Sequence, residues 1–150
     1  MIAFNAEGYI TPSRVFDIEL DTFKDIFVNN EKRELIYTEF LLFVDYLKSW
    51  NIGTFNQWVD GSFVTKKIIP NDIDVVTFLD YRVCEQYEKE ISELYWSRKT
   101  GKVDTCFVKV YPSNHDFYVR TKSDTIEYLH NFSFDVKNRN QSKGFVQLNF

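Results

Sequence analysis

The chain is short of the residues that would mark it as secreted, metal-knuckled or membrane-bound. Its 150 residues hold two cysteines, Cys84 and Cys106, with no CxxC spacing. That pattern excludes a disulfide framework and a zinc knuckle, and both cysteines read as small buried hydrophobes. Glycine occurs five times and proline three, too few for a linker-rich or low-complexity chain. No segment approaches the ~18 apolar residues of a membrane span. The N-terminus "MIAFNAEGYITPSR" has no basic region followed by an apolar run, so no signal peptide is expected. Positive charge is also scarce. A net charge of −4 argues against broad wrapping of nucleic acid, though not against a local basic site. The expectation is a soluble, cytoplasmic protein without membrane contact.

Aromatic bulk is abundant. Phe occurs 15 times and Tyr nine, enough to close the core of one domain spanning residues 1–150. After an irregular lead-in, "LDTFKDIFV" predicts a short helix. Glu31–Trp50 predicts a long one, with Ile36, Phe40, Phe43 and Leu47 on one face, Asn30 as N-cap and Gly53 as the stop. Strands are expected over "TFNQWV", "DIDVVTFL", "KVDTCFVKVY" and "GFVQLNF". Helices are expected over 83–96 and 124–130, and a polar loop over Asp135–Lys143. The fold class is α/β (α+β), with helices packed on a small mixed sheet.

The chemistry concentrates in "QWVDGSFVTKKIIPNDIDVV". Asp72 and Asp74 alternate in an apolar strand, so they share a face, about 7 Å apart along the backbone. Two such carboxylates resist burial unless a cation joins them, and Mg²⁺ (or Mn²⁺) takes hard oxygen ligands. Asp104, near the start of the next apolar strand, is the candidate third acid if the two strands are neighbours. Three acids could hold two ions for an in-line phosphoryl displacement. Nine residues separate Asp72 from the upstream pair Gly61-Ser62. Gly61 permits close backbone approach to a phosphate, Ser62 adds a hydroxyl donor, and Lys66 and Lys67 add point charges.

Each residue also has a plainer reading. Asp72 after Pro70-Asn71 suits a turn, Gly61 a turn glycine, and the lysines a solvated loop. Asp60 is expected to order its loop and not to be a ligand. His115 and His130 are expected to be structural. Lys137, Arg139 and Lys143 form a run that could meet an acceptor's phosphates, with a solvated loop as the default. Trp50, Trp58 and Trp96 are expected in the core, Trp58 close to the site.

"VDGSFVTKKIIPNDIDVV" resembles the signature of the DNA polymerase beta-type nucleotidyltransferase superfamily: Gly with Gly or Ser, a gap, then Asp-x-Asp. The match falls on Gly61, Ser62, Asp72 and Asp74, with Asp104 matching the later acid. "GYITP", "WVDGSFVTKK", "PNDIDVV" and "KGFVQL" are similar to pieces of small bacterial and phage-associated members. The resemblance implies a minimal nucleotidyltransferase palm. It implies transfer of a nucleoside monophosphate from an NTP to an acceptor hydroxyl on protein or RNA, within a toxin–antitoxin or defence pair. A silent module that kept the fold to bind a partner protein, or to form a homo-oligomer, is the alternative.

Overall fold

The computed structural model describes residues 1–97, 101–138 and 140–150, with the side chains of Trp96 and Ser97 left out. Trp96 as a core residue and Arg139 as a loop cation therefore lie outside the described residues. In chain order the elements are β1 (Ala3–Phe4), β2 (Ile10–Thr11), β3 (Val15–Asp17), α1 (Leu20–Phe27) and α2 (Glu31–Lys48). Next come β4 (Asn56–Asp60), β5 (Ile73–Asp80), α3 (Tyr81–Gln86), α4 (Glu88–Ser97), β6 (Val103–Val110), α5 (Tyr118–Phe132) and β7 (Phe145–Asn149).

The architecture is mixed α/β. A five-stranded sheet runs in the order β3-β7-β4-β5-β6, and β1 with β2 forms a separate two-stranded ribbon. The outer pairs β3/β7 and β5/β6 are parallel, while β4 lies antiparallel to both its neighbours. Alternation along each strand sends side chains to two cores. Val59, Ile73, Val75, Leu79, Val146 and Leu148 meet Ile36, Phe40 and Leu47 of α2. On the other face Trp58, Val76, Phe78, Val108 and Phe145 meet Tyr128 and Phe132 of α5. Among the described residues, no helix is long and apolar enough to cross a membrane.

The long helix forms where its period places it. Asn30 caps it by accepting the Arg33 N–H at 3.0 Å. It stops at Lys48, two residues short of the expected Trp50 and before Gly53. The helix expected over 83–96 is two helices broken at Tyr87. That residue stacks on Trp50 at 4.4 Å and donates its hydroxyl to the Trp50 carbonyl. α5 is about twice the length foreseen, because its inward stripe of Tyr118, Thr121, Thr125, Tyr128 and Phe132 is partly polar while Val119 and Ile126 are exposed. The irregular lead-in contains β1, β2 and β3; β3 pairs with the C-terminal strand, a long-range partner with no local signal.

Arg33 sits in phase with the apolar stripe of α2, yet it is 2% exposed. Its guanidinium donates to the carbonyls of Phe27, Phe63, Thr65 and Lys67 at 2.9, 2.6, 2.9 and 2.5 Å. It also lies 5.1 Å from the centre of the Phe63 ring. A buried charge is tolerated when its hydrogen bonds are met in this way. Asn30 adds a bond to the Ile68 carbonyl at 3.0 Å. The start of α2 thus grips the loop between β4 and β5. Arg33→Met would leave these carbonyls without their donor, and a loss of about 3–5 kcal/mol is expected in urea unfolding. A loss below about 1 kcal/mol would show that water or the chain replaces the guanidinium.

Candidate functional site

Strand β4 ends at Asp60, and the chain turns at Gly61 into a single 3-10 turn over Ser62–Val64. Gly61 has φ +78°, a conformation that L side chains avoid. A Cβ at this position would also lie 1.7 Å from Asp74 Oδ2. The glycine is therefore required twice, for the turn and for the room it leaves to the Asp74 carboxylate.

Strand register brings the acids together. Asp60 of β4 pairs with Asp74 of β5, and Asp74 pairs with Asp104 of β6. Residues in register share a face of the sheet, so the three form a row across adjacent strands. The expected neighbourhood of the two acid-bearing strands is what the sheet has. Asp72 stands just before β5 and acts on Asp74 electrostatically.

Asp60 and Lys143 are the pair that sequence reasoning missed. Lys143 is not solvated: it is 5% exposed, Asp60 6%, and the two form an ion pair. The Lys143 backbone is held on both sides, its N–H donating to the Ser133 carbonyl at 2.8 Å and its carbonyl accepting from Ser13 Oγ at 3.0 Å. The usable signal was the alternation of β4, which puts Asp60 on the same face as buried Trp58.

A cleft of about 960 Å³ opens over this rim. Asp60, Asp72 and Asp74 line it, with Gly61, Ser62, Lys66 and Lys67 along one wall and Tyr9, Lys137 and Lys143 among the residues around it. Asp104 does not line it, although it lies beside Asp74 in register. Lys66 donates its N–H to the Gly8 carbonyl at 2.9 Å and holds its ammonium 4.2 Å from the Phe4 ring centre. Lys67 is exposed. The Tyr9 hydroxyl bonds Asp135 at 3.0 Å across the cleft mouth. Trp58, His115 and His130 do not line the cleft; Trp58 is in the core and bonds Gln147 at 2.9 Å. His115 accepts the Phe117 N–H at 3.1 Å within an aromatic cluster beside Tyr81 and Tyr111.

The chain matches the model of a family of unknown function (DUF6932) over residues 2–149. It belongs to that family. No curated protein and no solved structure matches it.

The electrostatics of this family member's cleft are set by crowding. Burial, and then the charges of Asp72, Asp60 and Asp104, push the Asp74 carboxyl up to about 7, with Lys143 opposing. Burial also pushes the Asp60 carboxyl up, against the pull of Lys143 and the Gly61 N–H. Among the described residues, no three His, Cys, Asp or Glu side chains are gathered closely enough to hold a metal ion between them. The donor set in the cleft fits a looser arrangement. Asp72 and Asp74 offer hard oxygens, and a cation would relieve the crowding that disfavours the charged form of Asp74. An ion such as Mg²⁺ binds through one or two carboxylates and keeps water or phosphate oxygens for the rest.

Two outcomes follow. Without divalent cations, folded Asp74 holds a proton between about pH 4 and 7 that the unfolded chain has lost. Its contribution to stability is full below about pH 4 and is lost as the pH rises through about 7. Wild type should therefore melt lower at about pH 8 than at about pH 5, and Asp74→Asn should flatten that difference. An unchanged pH difference in the variant would contradict the crowding. Gly61→Ala should cost at least about 1–2 kcal/mol in denaturant unfolding, from the left-handed turn alone. A neutral result would mean that the turn accepts a side chain at positive φ and that Asp74 moves aside as well.

Proposed function

We propose that the cleft carries out metal-dependent nucleotidyl transfer, moving a nucleoside monophosphate from an NTP to an acceptor hydroxyl on protein or RNA. The observation that supports it is the meeting of Gly61 with the Asp74 carboxylate, at the rim where Ser62, Lys66 and Lys67 line the same cleft. A glycine turn for phosphate beside a carboxylate pair for a hard cation is the arrangement that triphosphate chemistry needs. On this reading the sheet is a minimal palm of the DNA polymerase beta type.

Each residue then has a task. The backbone N–H groups after Gly61 and the Ser62 hydroxyl donate to phosphate oxygens. Lys66 and Lys67 add positive charge at the tail. Asp72 and Asp74 would hold Mg²⁺ or Mn²⁺, which supplies charge neutralisation at the reacting phosphate. Asp104, next to Asp74 in register but behind the cleft lining, takes the acceptor hydroxyl's proton through an intervening water. The acceptor oxygen forms its bond to the α-phosphorus as the bond to the β-phosphate oxygen breaks, and pyrophosphate leaves.

A catalytically silent, partner-binding module is the second reading. The Lys143–Asp60 pair favours it, because part of the acidic row is neutralised without any added ion. NTPs labelled at the α-phosphate, incubated with Mg²⁺ and candidate RNA and protein acceptors, separate the two. Label should move to an acceptor in wild type and not in Asp74→Ala at any NTP concentration. Ser62→Ala loses one hydrogen bond to a charged group, about 1.5–3 kcal/mol. It should bind NTP roughly ten- to a hundredfold more weakly and recover at saturation. Recovery of Asp74→Ala by saturating NTP would remove Asp74 from the catalytic set, and no Mg²⁺-dependent NTP binding would favour the silent module.

A further inference from the structure

Four aspartates crowd one rim of the sheet, and one cation of the chain is already buried among them. We propose that Lys143 is the resident cation of this row, so that Asp60 is withheld from metal and the cleft takes a single divalent ion on Asp72 and Asp74. The inference rests on the nucleotidyl-transfer reading for the ion itself, and it goes beyond that reading in fixing how many ions bind and which acid is excluded.

Asp60 is the register partner of Asp74, a position from which a carboxylate could share an ion with its neighbour. Its Oδ1 is instead in contact with the Lys143 ammonium, and both side chains are more than nine-tenths buried. Freeing Asp60 for a metal would strand the lysine charge in the interior, and breaking a buried pair in that way is strongly unfavourable. The lysine cannot swing aside easily. Its own N–H and carbonyl are bonded, and the next residue, Gly144, donates to the Ile10 carbonyl at 2.8 Å. A Cβ on Gly144 would lie 2.8 Å from Ile10 Cγ2 and from the Pro12 carbonyl oxygen, so the chain there is tightly enclosed.

The remaining acids give the count. Asp104 does not line the cleft, and among the described residues no three acids gather around one point. Of the other acids on the lining, Asp135 already accepts from the Tyr9 hydroxyl and the Lys137 and Asn138 N–H groups, and Glu7 lies in the turn between β1 and β2, so Asp72 and Asp74 are the rim carboxylates left without a lysine on them. That suits one ion whose other ligands are water and phosphate oxygens. An ammonium has three donors, and Lys143 has a single bond to Asp60. Since it lines the cleft, its other N–H groups can meet a phosphate oxygen once the nucleotide is in place.

Equilibrium dialysis of the full chain against Mn²⁺ and a non-hydrolysable NTP, with the excess ion on the protein side counted by electron paramagnetic resonance, tests the count. One Mn²⁺ per wild-type chain is expected, and none in Asp72→Asn/Asp74→Asn. Two per wild-type chain would overturn the inference and leave ion-dependent transfer standing; none in wild type would overturn that reading itself. The neutral pair Asp60→Asn/Lys143→Met should still bind one Mn²⁺, with Kd within about tenfold of wild type. Loss of the ion in this variant, with the fold retained by circular dichroism, would make Asp60 a ligand and end the proposal.

Discussion

The guanidinium of Arg33 fixes the part of the chain on which the cleft depends. Between Asp60 and Ile73 the backbone makes no strand, and its inward carbonyls would have no ladder to satisfy them. Arg33 meets those of Phe63, Thr65 and Lys67 at once. Phe63 and Val64, both buried, then pack where the turn leaves them. The loop that joins the glycine turn to the acid pair is thus held from inside by a helix. The lysines on its outer side stay turned toward the cleft and solvent.

Against that fixed loop stands a row of like charges that no local preference favours. Strand register places Asp60, Asp74 and Asp104 side by side, and a packed sheet cannot spread them apart. The chain answers in two ways. Lys143 neutralises Asp60, and Gly61 leaves the Asp74 carboxylate a place that any side chain would fill. What remains at Asp74 is a carboxyl whose charged form is disfavoured, by burial first and then by the neighbouring aspartates. It is on this uncompensated burial that the proposed cation site rests.

The sequence was legible where the signal is local. Helical period and an Asn cap located α2, alternation located β5, and the Asp-x-Asp spacing marked a face that lines the cleft. It was less legible where the deciding partner is distant. Arg33 carried a usable sign, a charge in phase with an apolar stripe, but its carbonyl partners lie some thirty residues on. Lys143 looked like part of a polar loop because its burial depends on Asp60, 83 residues earlier. The break at Tyr87 depends on Trp50 in the same way. In each case residue type gave the chemistry, and tertiary contact decided what it was used for.

The two ends of the chain complete the cleft that the middle begins. β7 lies inside the sheet, between β3 and β4, and is not an edge strand. Its entry carries Lys143 to Asp60, and its pairing with β3 anchors the N-terminal segment. That segment in turn sets Gly8 against Lys66, where a Cβ on the glycine would lie 2.8 Å from the lysine's own. Tyr9 reaches Asp135 from the same ribbon. Asp60, Asp72, Asp74 and the loop between them come from residues 60–74, but their charge balance and the facing walls come from residues 5–9, from 131–138 and from Lys143. Docking of β7 therefore closes the sheet and neutralises its most buried acid in one step, so an intact fold and a correctly charged cleft are the same physical event.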